Sequence, residues 1–337
     1  AEADGSPIRA RRIEIASSDD IDEFMFDQGF SDGLPVVAPT PERVLRMLSG
    51  TERGPQDIVA IVPPSLAPVT VEKIAINAVM AGCRPEYLPV VIAGVEAMCD
   101  DAFDLHGVSA TTNSAAPLFI VNGPVRARLQ INAGAGVFGP GYRANATIGR
   151  ALRLIVRKVG GAAAGGVTMS TMAHSGYFTY CIAENEEESP WRPLAVQQGV
   201  PAGESAISAF AAFAPQVVYD HQSHRGEALL ITIVHSLAVM SHHKSTHHGD
   251  TLLVVSPEHA RLLATDGWDL PRMRDFLWER LRKPVRDLIP GVNGGEGLPA
   301  HVLAAPTPSE DETRATLLEL AARSLGVATE ADLTDYY

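Results

Sequence analysis

Short apolar runs alternate along this chain with stretches of helical period, and proline or glycine punctuates most of the joins. "DIVAIVPP" at 57–64 is an apolar, β-branched strand ended by prolines, and "APLFIVNGP" at 116–124 is a buried strand ended by Asn-Gly-Pro. Between them, Val69–Ala81 and Pro85–Met98 carry helical periodicity on both sides of "AGCRPEY". The alternation continues with helix 144–159 and a strand in "SGYFTYCIAENEEE". It goes on through strand "QVVY", helix Gly226–Met240, strand "TLLVV" and helices from Ser256 and Leu270. A last short strand in "PAHVLAAPT" and a helix over Glu310–Leu325 close the chain. Such a pattern specifies an α/β fold with a mixed or mostly parallel sheet and flanking helices.

The first 33 residues are polar and read as an arm, followed by a short strand at Leu34–Val37. A helix then opens at Thr40-Pro41-Glu42, where Thr at the N-cap and Pro at N1 are good start chemistry. The expected organisation is an arm (1–33), an α/β domain with a glycine-rich loop (34–214) and a second α/β subdomain with a histidine-rich loop (215–337). A length of 337 residues at 46% hydrophobic supports one large or two medium cores. No repeat of fixed period is present.

Charge removes some functions. The net charge of −13 argues against a surface that neutralises phosphate backbones or anionic membranes, so neither nucleic acid nor membrane is an expected partner. No apolar run approaches the ~18 residues of a spanning helix. "AEADGSPIRARR" has no apolar core of a signal peptide, and Cys83, Cys99 and Cys181 form no disulfide framework, so a reduced, cytoplasmic setting is expected.

Four segments carry chemistry-bearing residues. In "NAGAGVFGPGYR", Gly134, Gly136 and Gly139 satisfy G-x-G-x-x-G, but Pro140 and Gly141 separate them from the helix. No acid stands ~20 residues on to meet a ribose, and no nucleotide cofactor is expected. Backbone N–H groups and the helix start can still hold an anion, with Arg143 as charge and Asn132 and Asn145 as amide donors; the alternative is a purely structural glycine turn. The second segment, "YCIAENEEESPW", places Cys181 at a strand end and Glu184 three residues on. Glu184, Asn185 and Glu186 thus sit at a strand end, where function usually sits in α/β proteins. The thiol needs a nearby cation to act as a nucleophile. The third, "SATTNSAAP", is a loop able to give several hydrogen bonds, Asn113 among them.

The fourth is "MSHHKSTHHGD", with His242, His243, His247 and His248. His243 and His247 have the i, i+4 spacing that chelates zinc on a helix. Ser245, Thr246 and Gly249 oppose a helix there, and no glutamate lies between the pair. The alternatives are a loop giving two or three imidazoles to zinc, copper, nickel or iron, and a solvated loop that titrates near neutral pH. Upstream, Asp220-His221 ends a strand-like run, and His221 is a candidate general base.

Together "DGLPVVAPT", "AVMAGCRPEYLPVV", "FGPGYRANATIGRALRL", "CIAENEEESPW" and "SPEHARLLATDGW" resemble a bacterial family associated with UGSC-type selenoprotein or cysteine domains. The resemblance runs over residues 30–285. It implies a working partner of that type but no catalytic residue, and this chain has no U/C-G-S-C motif of its own. It also implies "DH" followed by Ser, as at Asp220-His221-Gln222-Ser223, and marks the histidine loop as particular to this branch.

These readings converge on an enzyme for a small polar or anionic molecule, a metal-assisted hydrolase or lyase. The glycine loop holds the anion, His221 or Glu184 moves a proton, and the histidine loop carries the metal. One alternative is a thiol- or redox-linked enzyme using Cys181 with a partner protein. The other is a non-catalytic subunit or ligand-binding module. On each of these readings the polar arm and the Pro-rich apolar segments suit a homodimer or a hetero-complex.

Overall fold

The computed structural model describes residues 6–16, 20–240 and 251–281. These residues form two units. One runs to Glu188 and includes Arg192–Gln216; the other joins Ser189–Trp191 to the chain from Val217 onward.

In the first unit the order is α1 (Ile21–Asp27), α2 (Pro41–Leu48), β1 (Ile58–Val62), β2 (Ala67–Thr70), α3 (Val71–Ala81), α4 (Leu88–Met98), α5 (Leu105–Ala110) and β3 (Ala116–Asn122). Then come α6 (Val125–Leu129), α7 (Arg143–Lys158), β4 (Cys181–Ala183), α8 (Leu194–Gln197) and β5 (Ala206–Ala212). β1 and β2 pair antiparallel. The other sheet has the order β4-β3-β5, parallel between β3 and β4 and antiparallel between β3 and β5. The fold is therefore mixed α/β, and among the named strands of the described residues only β3 and β4 pair parallel.

β3 is buried at every residue. Its side chains alternate between two cores, as the period of two requires. Phe119 and Val121, with Cys181 and Ala183 of β4, join Ile74, Ile148, Leu152 and Ile155 on the helical side. Leu118 and Ile120, with Tyr180 and Ile182, meet Val137 and Phe210 on the other. A strand apolar on both faces reads as an unbroken hydrophobic run, and each fully buried Leu, Ile or Phe contributes about 1.5–3 kcal/mol. On α7, Ile148, Leu152 and Ile155 recur at the spacing that makes one buried stripe. Gly149 lets that stripe sit close, because a Cβ there would lie 2.5 Å from Thr179 Oγ1 and 2.8 Å from Tyr180 N.

Several expected elements take another form. Leu34–Val37 is not a strand: Pro35 has no N–H to give, and the Leu34 carbonyl accepts from Ser31 Oγ and Arg150 Nη2 instead. The helix expected over Val69–Ala81 starts at Val71, because Thr70 caps it and β2 pairs with β1. "QVVY" and "TLLVV" form no strand, and Val217, Tyr219 and Val254 are exposed. The last strand and the helix over Glu310–Leu325 lie outside the described residues.

The second unit contains α9 (Gly226–Met240), α10 (Pro257–Thr265) and α11 (Leu270–Arg280) around Leu229, Leu230, Ile233, Leu263, Trp268 and Met273. Among the described residues, no helix is long and apolar enough to cross a membrane.

One ion pair ties the segment after α1 to α7. Arg150 Nε and Nη2 donate to the two oxygens of Asp32 at 2.9 and 2.7 Å. Burial alone raises the Asp32 carboxyl, but the bonds and charge of Arg150 bring it below its ordinary 3.8. A depressed carboxyl stabilises the fold above the unfolded value and stops doing so as pH falls through the folded one. Asp32→Asn is expected to cost about 2 kcal/mol near neutral pH. In urea titrations the gap to wild type should close as the pH is taken below 3.8; a gap independent of pH would contradict this account.

Candidate active site

A parallel pair ends both its strands at one edge of the sheet. Val121 lies opposite Ala183, so Asn122 emerges beside Glu184. β5 runs the other way and starts at the same edge, with Asn122 opposite Ala206. A cavity of about 220 Å³ opens there, lined by Asn122, Gly123, Glu186, Arg192, Ala195 and Glu204 among others. This is the crevice position at which open α/β sheets bind ligands.

The side-chain amide of Asn122, 1% exposed, organises the edge. Its Nδ2 donates to Glu184 Oε2 at 2.6 Å and to Glu186 Oε1 at 2.8 Å. Two carboxylates can only accept, which fixes the orientation of the amide. Its Oδ1 is then left buried without a partner, a deficit of about 1–3 kcal/mol unless something donates to it.

Each carboxylate is anchored through one oxygen. Glu184 Oε2 also accepts from Leu194 N at 2.7 Å. Glu186 Oε1 also accepts from Gly123 N at 2.7 Å, and Arg126 Nε lies 3.1 Å away without the alignment of a hydrogen bond. Among the described residues the second oxygen of each makes no hydrogen bond. Gly123 has to be glycine here: its φ is +81°, and a Cβ would come within 2.2 Å of Glu204 O.

Arg126, 7% exposed, holds the turn from below. Nη1 donates to Glu184 O at 2.8 Å, and both Nη atoms bond Glu187 at 3.1 and 3.0 Å. Burial works against its charge, but Glu187 and Glu186 outweigh that and keep it above the ordinary arginine value.

The residues expected from sequence to form a site are distributed differently. Glu184 is at this edge. Cys181 sits inside the helical core, and burial, with Cys83 adding to it, pushes its thiol up to about 12. Asn132 and Asn145 bond each other, Asn132 N to Asn145 Oδ1 at 2.8 Å and Asn145 Nδ2 to Asn132 O at 3.0 Å. Asn132 also spans its own loop, accepting from Gly134 N and donating to Ala135 O. Arg143 turns away to give Nε and Nη2 to Gly82 O at the end of α3. Gly136, at φ +70°, closes a turn with Gly139. Asn113 belongs to the loop leading into β3, where its N–H donates to Thr111 Oγ1.

His221 belongs to the second unit and is exposed, its ring 5.8 Å from that of Tyr219. The neighbouring Asp220 accepts from Gln222 N, Ser223 N, Ser223 Oγ and Thr232 Oγ1. Those bonds, Thr232's foremost, hold its carboxyl far below the usual range. His242, His243, His247 and His248 lie outside the described residues. Among the described residues no group of three or more His, Cys, Asp or Glu is placed to hold a metal ion.

Glu186 stands at this edge with Glu184, and Asn122, Arg126 and Arg192 complete it. The sequence signal for Asn122 is Asn-Gly-Pro at the end of a buried strand. No family model, curated protein or solved structure matches the chain, so the family resemblance rests on the quoted strings alone.

At about pH 8, a thiol at about 12 is almost wholly protonated and reacts as a buried, inert group. Cys181 in the folded protein is expected to resist alkylation for hours and to react on adding denaturant, read by peptide mass spectrometry. Rapid labelling of Cys181 in the native state would restore it as a working thiol.

Proposed function

We propose that the chain is a small-molecule enzyme whose active site is the cavity at the β3–β4 edge, with Glu186 as the proton-transferring group. The observation that supports this most is the anchoring of Glu186. One oxygen is fixed by Asn122, Gly123 and the nearby Arg126, and the other is unpaired in a residue that lines the cavity. A carboxylate oriented through one oxygen presents the other to substrate in a defined direction, which is what general base catalysis needs. The unpaired Asn122 Oδ1 is a second acceptor beside it.

Those acceptors favour a substrate with hydroxyl or amine donors, and Arg192 on the rim adds a place for a negative group. The volume limits the substrate to a small molecule. Proton abstraction or water activation at such a carboxylate serves a lyase or a hydrolase. Glu184 and Glu186, in place of His221, form the acid–base pair.

Glu186→Gln keeps an acceptor for Asn122 and Gly123 and removes the charge. It is expected to leave folding intact and to lower turnover by about 10²–10⁴-fold. Thermal-shift screening of small hydroxy acids, polyols and amines finds the substrate class: a compound that raises the midpoint of wild type and not of Glu186→Gln is expected. Full turnover in Glu186→Gln would remove Glu186 from the chemistry.

The metal part of the proposal assigns a divalent transition metal to His242, His243, His247 and His248. Protein purified without a histidine tag is expected to carry near-stoichiometric zinc, copper, nickel or iron by elemental analysis. Metal-free protein with activity that survives chelator would confine the chemistry to the carboxylates.

A further inference from the structure

At the other end of β3 lies a cluster of opposite charge. α7 carries Arg150, Arg153 and Arg157 at intervals of three and four, so they rise along one face. Arg150 has Asp32. Arg153 and Arg157 have no acidic partner among the described residues, in a chain with 40 acids against 27 lysines and arginines.

Arg153 is part-buried. Its Nε donates to Tyr177 O at 3.3 Å and its guanidinium stacks 4.8 Å from the Tyr177 ring centroid, while neither Nη atom makes a hydrogen bond. Burial pulls it down to about 10, which leaves it charged near neutral pH. Arg157 Nε is buried with no partner.

His174 joins them, its ring edge-on to Tyr177 at 5.4 Å. Its Nδ1 accepts from Gly176 N at 3.1 Å, so the proton of the neutral ring is on Nε2, which is buried beside the Ser114 and Ala212 backbone without a well-aligned hydrogen bond. Burial lowers His174, the backbone of Ser114 and Ala212 opposes that, and the charge of Arg153 adds to the lowering.

The surrounding loops are built to stay in place. Thr171 N donates to Thr112 O, Ser170 Oγ to Ser114 Oγ, and Tyr177 Oη to Ala115 O. The hydroxyl-rich loop before β3, with Asn113, is therefore part of this end and not of the carboxylate cavity.

Buried donors without acceptors are rare and need a reason, and an unpaired buried charge is destabilising. Guanidinium groups match the oxygens of phosphate and carboxylate. We infer that Arg153 and Arg157, with His174 beside Arg153, form a binding site for a small oxyanion, a phosphate or the phosphate group of a larger ligand, separate from the carboxylate cavity.

Calorimetric titration of the full chain with inorganic phosphate, against sodium chloride at matched ionic strength, tests this. Saturable binding is expected in wild type and unchanged in Glu186→Gln, so this site is read independently of the proposed catalytic one. Arg153→Gln and Arg157→Gln should each weaken binding about tenfold or more, the loss of a charge-assisted hydrogen bond. Arg157→Gln should not lower the melting midpoint without phosphate, because it loses no acidic partner, whereas Arg153→Gln also loses its bond to Tyr177 O and its stack on that ring. If one variant fails to fold, the other still decides. No binding above the chloride control, or equal binding in the variants, would overturn the inference.

Discussion

β3 is enclosed along its whole length, between β4 and β5 in the sheet and between two cores on its faces. A one-residue slip of such a strand would exchange Phe119 and Val121 with Leu118 and Ile120 between two differently packed cores and draw polar Asn122 inward. The register therefore delivers Asn122, the first polar side chain after six buried residues, to a fixed place at the sheet edge. Because β4 runs parallel, Glu184 and Glu186 arrive at the same edge, and the amide joins them. Strand burial, a stability term, is what positions the polar cluster.

The cluster also divides labour among its charges. Arg126 and Glu187 form an ion pair that braces the turn from the side, and Gly123 allows the backbone to approach Glu204. Glu186 is left with one committed oxygen and one open. The amino end of β3 has the reverse polarity: among the described residues Arg150 is paired with Asp32, while Arg153 and Arg157 meet no acid and a histidine stands beside them. The two ends of one buried strand thus offer acceptors at one and donors at the other.

Much of the fold was legible because burial leaves a pattern. The two-sided run "APLFIVN", the α7 stripe and the caps at Thr40 and Ser256 all appear in the structure. β5 was not, since "AISAFAA" has few β-branched residues and takes its strand form from pairing with β3. "QVVY" and "TLLVV" had the propensity but form no sheet pairing. At the site, Glu184 was legible as a strand-end acid, and the loop glycines as a turn. The commitment of Arg143 to Gly82, and of Asn132 to Asn145, was not. Those bonds join positions whose proximity exists only after folding, and a sequence shows the donors without their partners. The same holds for Arg153 and Arg157, which are conspicuous because no acid among the described residues meets them.

The central claim is that the β3–β4 edge takes a small polar ligand through Glu186 and Asn122. Crystals soaked with a library of small hydroxy acids, polyols and amines test it most directly. The account requires density in the cavity, with a ligand donor within hydrogen-bond reach of the open Glu186 oxygen and of Asn122 Oδ1. Ligands that bind elsewhere on the chain, while this cavity holds only water at high resolution, would contradict it.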